Sequence, residues 1–254
     1  MKVWPNVTQK TFQLPENPAL IVASDIHIRT EHDERYIMLC KLVETAQIVG
    51  AKSFVLNGDI FDFFFGWGQY FRKKYSRLLS ALDDLSKSGA QVWFVEGNHE
   101  FGLAALNLHH GFEVVPSEGR VWIGPQGHRI LIAHGDLLRP DFKYELFRNV
   151  MRSRLINILA LAFPQRLLDR LTLWFATTSR KKDKYRVLNH DRITEFARRR
   201  LSEFKADSII FGHFHHPYDE DLGEGRRLLS VASWDQPSCL VMDAHGVITR
   251  IHPQ

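Results

Sequence analysis

A chain of 254 residues with 44% apolar content is long enough for one large α/β domain or two small ones and can bury a substantial core. Its two cysteines, Cys40 and Cys239, lie in apolar runs without metal-knuckle spacing, which excludes a thiolate zinc site and points to reduced, buried thiols in a cytosolic protein. The opening MKVWPNVTQKTFQ lacks the apolar core and cleavage site of a signal peptide, so export is not expected. The formal charge of +4 is unevenly placed: residues 137–190 hold twelve Lys and Arg against four Asp and Glu, leaving the rest of the chain net acidic. One basic region on a mildly acidic body predicts an anionic visitor there.

Residues 19–23 have the length and composition of a strand and run directly into Asp25 and His27. Residues 34–49 then space Ile37, Leu39, Leu42, Val43, Ala46 and Val49 as a helix does. A second strand, 53–57, ends in Gly58-Asp59. The aromatic run at residues 61–67 is richer than a solvent loop should be and is expected at the mouth of a site. Residues 70–88 read as one helix through Leu78, Leu79, Leu82 and Leu85, closed by Gly89. Strands at 91–95 and 129–133 lead into Gly97-Asn98-His99-Glu100 and His134-Gly135-Asp136.

Residues 137–190 are too long for a simple connection and read as a helical insertion, apolar with interspersed arginines. The longest charge-free run in it, 155–165, is well short of the ~20 residues needed to cross a bilayer. After it, strand 207–211 leads into Gly212-His213-Phe214-His215, and RRLLSVAS, SCLVMD and GVITRI suggest an antiparallel finish. Alternating strands and helices argue for an α/β fold with a largely parallel sheet, and in such sheets ligands bind beyond the carboxyl ends of the strands. Every polar cluster named above falls there. The whole chain, 1–254, reads as a single domain carrying the insertion at about 137–190.

The hard oxygens and imidazoles in these clusters suit two divalent metals side by side. Asp25 and His27, two apart at a strand end, are expected on one side by alternation. Asp59 has two oxygens and can bridge two cations, while the missing side chain at Gly58 lets other groups crowd close. Asn98 offers an amide oxygen, and His134, His213 and His215 offer imidazoles. A lone Asp-x-His or Gly-Asp is weak evidence, but all five clusters in order, each after an apolar strand, are not.

These residues resemble the calcineurin-like metallophosphoesterases, whose pattern D-x-H, G-D, G-N-H-D/E, H-G-D, G-H-x-H is matched between residues 24 and 215. The resemblance implies a four-layer αββα sandwich. It implies one metal held by Asp25, His27, Asp59 and His215, and a second held by Asp59, Asn98, His134 and His213. Paired dications lower the pKa of water and neutralise charge on phosphoryl oxygens. His99 is then free to contact a phosphoryl oxygen or protonate the leaving group. His99 and Asp59 are the expected catalytic residues.

Within that family, His134-Gly135-Asp136 followed by Asp141, Tyr144, Phe147 and Arg148 resembles the H-G-D…D-x-x-Y-x-x-F-R stretch of the UDP-2,3-diacylglucosamine diphosphatases of lipid A synthesis. The resemblance implies hydrolysis of that nucleotide-linked glycolipid to UMP and 2,3-diacylglucosamine 1-phosphate, with manganese. Asp141, Tyr144, Arg180, Lys181 and Lys184 are the expected substrate contacts. Leu155, Ile158, Leu159, Phe163, Leu171 and Trp174 are candidates for an acyl trough, since each buried methylene contributes about 0.8 kcal/mol. The basic, apolar insertion predicts peripheral attachment to the cytoplasmic face of the inner membrane. Gly97-Asn98-His99 is the general phosphoesterase form and leaves other phosphodiesters open, a nuclease included. Long aliphatic stretches among the basic charges suit lipid better than nucleic acid. A non-catalytic scaffold on the same fold is the reading of another class, and the intact motif set speaks against it.

Overall fold

The computed structural model describes residues 10–67, 69–138 and 190–254, together with Val150, Leu167 and Arg170. In chain order these form β1 (Leu20–Ala23), α1 (Glu34–Ile48), β2 (Ser53–Asn57), β3 (Phe64–Phe65), α2 (Gln69–Lys74), α3 (Ser76–Lys87), β4 (Gln91–Val95), β5 (Glu100–Phe101), β6 (Glu113–Val115), β7 (Arg120–Ile123) and β8 (Arg129–Ala133). The second half holds α4 (His190–Phe204), β9 (Ser208–Phe211), β10 (Asp219–Gly223), β11 (Arg226–Ser230), β12 (Cys239–Met242) and β13 (Ile248–Ile251).

The strands pair into a six-stranded sheet, β13-β12-β1-β2-β4-β6, and a five-stranded sheet, β10-β11-β9-β8-β7. Strand alternation explains why the two sheets stack. In the six-stranded sheet, Ile21, Ala23, Phe54, Leu56, Val92 and Phe94 turn outward onto α1 and α3. The residues between them, Val22, Val55, Trp93 and Val95, turn inward and meet Ile130, Ile132, Ile210 and Leu229 of the other sheet. On that second sheet's outer face, Leu131, Ile209 and Phe211 pack against Ile193, Ala197 and Leu201 of α4. Every central strand is therefore apolar on both faces, as a strand covered by a helix layer and a sheet layer must be. The result is helix, sheet, sheet, helix: the αββα sandwich.

Three expectations need correcting. The helix expected over residues 70–88 is two helices, α2 and α3, broken at Tyr75. Tyr75 leaves helical geometry (φ −108°, ψ 26°), its fully buried ring packing at a tilt with its centroid 4.3 Å from that of Phe61, and its hydroxyl donating to the Arg29 carbonyl at 3.2 Å. The tail is not simply antiparallel: β11 runs parallel to β9, and β12 crosses back to pair antiparallel with β1 in the other sheet. The aromatic run does not line a site mouth. Phe61, Phe63, Phe64 and Phe65 are at most 3% exposed, packed on Tyr75, Phe71 and Phe101, while Trp67 is 39% exposed. Burying these rings between the six-stranded sheet and α2–α3 removes more apolar surface from water than a rim position could.

Among the described residues no helix is long and apolar enough to cross a membrane. Both cysteines are buried free thiols, and burial raises the pKa of Cys239 to about 12 and that of Cys40 to about 11.

Candidate active site

Strands β1, β2 and β4 run parallel in one sheet, and β8 and β9 run parallel in the other. Their carboxyl ends meet along one rim, stitched across the sandwich. Asn57 Nδ2 donates to the Ala133 carbonyl at 3.0 Å, and the His213 amide donates to both oxygens of Asp25 at 2.9 Å. The polar clusters that follow these strands thereby converge on one place.

The Asp25/His27 pair reaches that place by a different backbone from the one alternation suggests. β1 ends at Ala23, and Asp25 and His27 lie beyond it with left-handed φ of 53° and 55°. His213 and His215 repeat the pattern at 62° and 57°, and Asp59 has φ 51°. Left-handed non-glycine residues cost on the order of 1–3 kcal/mol each when held by their surroundings, and such positions concentrate at functional sites. Gly58 and Gly212 make the crowding possible. A Cβ on Gly58 would lie 2.4 Å from His134 Nδ1, and one on Gly212 would lie 2.2 Å from Ser24 Oγ.

Two groups of donor atoms result. In the first, His27 Nε2 is 3.2 Å from His215 Nε2, which is 3.3 Å from Asp25 Oδ1. In the second, His134 Nε2 is 3.2 Å from Asn98 Oδ1 and 3.4 Å from Asp59 Oδ1, with the His213 ring 5.2 Å from that of His134. Asp25, His27 and His215 cluster within 4.8 Å, as do Asp59, His134 and His213, and as do His27, Asp62 and His99. The tautomers are decided by what lies behind each ring. A carbonyl can only accept, so His134 Nδ1 donates to Asn57 O at 2.9 Å and presents Nε2 to Asn98 and Asp59. Asp62 Oδ1, 3.3 Å from His27 Nδ1, likewise leaves His27 Nε2 facing His215. Lone pairs converging at these distances need a proton or a cation among them. Ligands about 2.0–2.2 Å from one ion are separated by similar gaps, and the mixed imidazole and carboxylate set suits a divalent metal.

Side chains with no assigned role in the sequence reading hold this arrangement. Ser24 Oγ lies 2.6 Å from Asp25 Oδ2. Glu100, fully buried, accepts from the amides of Asp59 (2.9 Å), Phe61 (3.0 Å) and Gly97 (3.1 Å), clamping the loops after β2 and β4 together. Asp62, 1% exposed, meets His27 through its carboxylate, and its carbonyl accepts from His99 Nδ1 at 2.8 Å. The sequence signals were slight: Asp62 follows Asp59 by one short turn, and Glu100 closes its motif.

The electrostatics follow from burial set against close opposite charges. Burial pushes both Asp25 and Asp59 up, but histidines outweigh it, His215 and His134 for Asp25 and His99 and His134 for Asp59, so both carboxyls sit below the usual range. Burial pulls His99 down, but Asp59, whose Oδ2 lies 3.8 Å from His99 Nε2, together with the Asp62 carbonyl and the Glu100 and Asp62 charges, leaves it raised. His213 drops to about 4 through burial and the neighbouring His134. Burial and the Asp59 charge push Glu100 up to about 8.

Asp25, His27, Asp59, Asn98, His99, His134, His213 and His215 are thus brought together. Asp141, Tyr144, Arg180, Lys181 and Lys184 lie outside the described residues, as do the candidate trough residues.

Similar proteins extend over almost the whole chain. A UDP-2,3-diacylglucosamine hydrolase of Neisseria gonorrhoeae is 27% identical over 89% of this chain and 94% of its own length. One from Pectobacterium carotovorum is 26% identical over 76% and 82%. A crystal structure of a dimetal phosphatase from Danio rerio aligns over 93% of this chain and 97% of its own at 12% identity and a TM-score of 0.46. The family model for calcineurin-like phosphoesterases matches residues 19–217, a span that contains every donor group described above. The chain belongs to the calcineurin-like phosphoesterase family and is a metal-dependent hydrolase of phosphorus-containing esters or anhydrides.

Proposed function

We propose that this protein hydrolyses the diphosphate of UDP-2,3-diacylglucosamine to UMP and 2,3-diacylglucosamine 1-phosphate, a step of lipid A synthesis. The observation that carries the hydrolytic part is the convergence of donor atoms 3.2–3.4 Å apart from strand ends of both sheets. The relatives' name supports the substrate, at an identity of 23–27%.

Asp25, His27, Asp59 and His215 would hold one divalent ion, and Asp59, Asn98, His134 and His213 the other, with manganese the expected metal. Bound there, the pair would supply an acidified water and charge neutralisation at the phosphoryl oxygens. The chain's own residues set the rest. Asn57 and Asp62 fix the tautomers of His134 and His27. His99, anchored through Nδ1, directs Nε2 toward the site, where it would contact a phosphoryl oxygen or protonate the leaving group.

The stretch 137–190 would form one domain with the rest as a helical insertion, offering Asp141, Tyr144, Arg180, Lys181 and Lys184 to the substrate and an apolar trough to its acyl chains. Of its described apolar residues, Val150 and Leu167 are 46% and 39% exposed, while Leu137 and Leu138 are half-buried against the outer face of the five-stranded sheet. The same stretch would attach the protein peripherally to the cytoplasmic leaflet of the inner membrane.

The test is manganese-supported turnover of UDP-2,3-diacylglucosamine beside a bis-aryl phosphodiester, with Asp59→Ala as control. UMP release well above the aryl rate, and lost in the variant, is the expected result. Turnover of the aryl diester alone would keep the hydrolase and sink the substrate.

A further inference from the structure

A diphosphate brings two phosphoryl groups, and only one of them is the centre under attack. The other keeps a negative charge and calls for a cation with donors to spare. Two arginines are held against the ligand loops. Both Nη nitrogens of Arg35 are engaged: Nη1 donates to the Ile26 carbonyl at 2.9 Å and Nη2 to Asp235 at 2.8 Å. Arg29 differs. Its side chain is 43% exposed, and its hydrogen bond runs from Nε to Asp62 Oδ2 at 3.0 Å. Neither of its Nη nitrogens has a hydrogen-bond partner among the described residues. Asp62 in turn contacts His27 through its other oxygen at 3.3 Å and His99 through its carbonyl at 2.8 Å. The guanidinium therefore stands one residue, Asp62, away from both imidazoles, its Nε tied to that carboxylate and its outer donors open. A fork held in this way loses little freedom when it takes up an oxyanion.

We propose that Arg29 is a specificity-determining residue which binds the phosphoryl group not under attack, so that the site favours diphosphate diesters over ligands with a single phosphorus. The inference rests on the reading of the substrate as a diphosphate. Calorimetric titration of manganese-loaded protein with UDP-glucose and with UMP tests it, since these share the uridine and differ in phosphorus count. In Arg29→Gln the ratio of the two dissociation constants should move against UDP-glucose by about tenfold to a hundredfold, the range of a charge-assisted hydrogen bond. Arg29→Lys, which keeps the charge and loses the fork, should fall between. Equal weakening of both ligands would mean that Arg29 acts by positioning Asp62 and His27, and would overturn the proposal. So would no change in either, or wild-type protein that binds UDP-glucose no better than UMP. Failure to cleave the lipid substrate is a separate result, because a ratio that still depended on Arg29 would leave this inference standing.

Discussion

Residues 24–27 and 212–215 present their donors with the same backbone, left-handed at the first and second donor, yet they are supported in different ways. The first loop is braced from outside itself. The Trp234 amide donates to the Asp25 carbonyl at 3.1 Å, Arg35 to the Ile26 carbonyl at 2.9 Å, and the Ile26 and His27 amides to Asp59 O at 3.0 and 3.1 Å. The second loop is tied to the end of β8 by the Gly212 amide, which donates to the His134 carbonyl at 3.0 Å, and otherwise leans on the first, for the His213 amide donates to both Asp25 oxygens. Exposure follows: Asp25 is fully buried, whereas the His215 side chain is 35% exposed. A strained ligand geometry needs one rigid side, and a second side can be hung from it.

From that asymmetry the largest effect belongs to Asp25→Ala, which removes a donor and the acceptor on which the second loop rests. Turnover should fall by about three orders of magnitude, several kcal/mol of lost charge stabilisation. Bound metal, measured by mass spectrometry, should drop at both proposed positions, whereas His27→Ala should keep the one proposed for Asp59, Asn98, His134 and His213. Equal metal content in the two variants would show the loops to be independent. Asp62→Asn comes next. It offers His27 an amide in place of a carboxylate, and metal affinity by chelator competition should weaken about tenfold to a hundredfold. An unchanged affinity would mean that His27 needs no orienting partner.

The smallest effect concerns β10, the strand that leaves the second loop. His190 at the start of α4 pairs with Glu220, which raises the His190 pKa. The sign follows from linkage: a histidine raised by folding stabilises fully below its unfolded value of about 6.5, and the contribution is lost as pH rises through the folded value. Both groups are partly solvated, so the gain is slight. Glu220→Gln should therefore lower the melting temperature a little near pH 6 and not at all near pH 9. A deficit that persisted at the higher pH would assign Glu220 a role other than its charge.

Much of the site was legible because each donor follows an apolar strand within a few residues, and strand composition together with Gly-Asp, Gly-Asn-His and Gly-His-x-His survives as local pattern. The supports were not. Glu100 reaches three amides on two loops, and Asp62 serves one ring by its side chain and another by its carbonyl. Neither job leaves a periodicity to read. The phenylalanines of residues 61–65 misled for a related reason, since aromatic content is the same in a trough and in a core.

Local chemistry, then, was written in the chain itself: which residues can bind a hard cation, which runs form strands, and where acyl-compatible and basic character is concentrated. Only the tertiary structure decided that the strands divide between two sheets and that β12 returns to pair with β1. It alone decided that five of the ligand-type residues take left-handed backbone. Hydrophobicity in sequence says that a strand is covered on both faces, but not by what. The pairing partner is chosen by long-range burial, and the strain at the donors is tolerated only because that burial holds the loops in place.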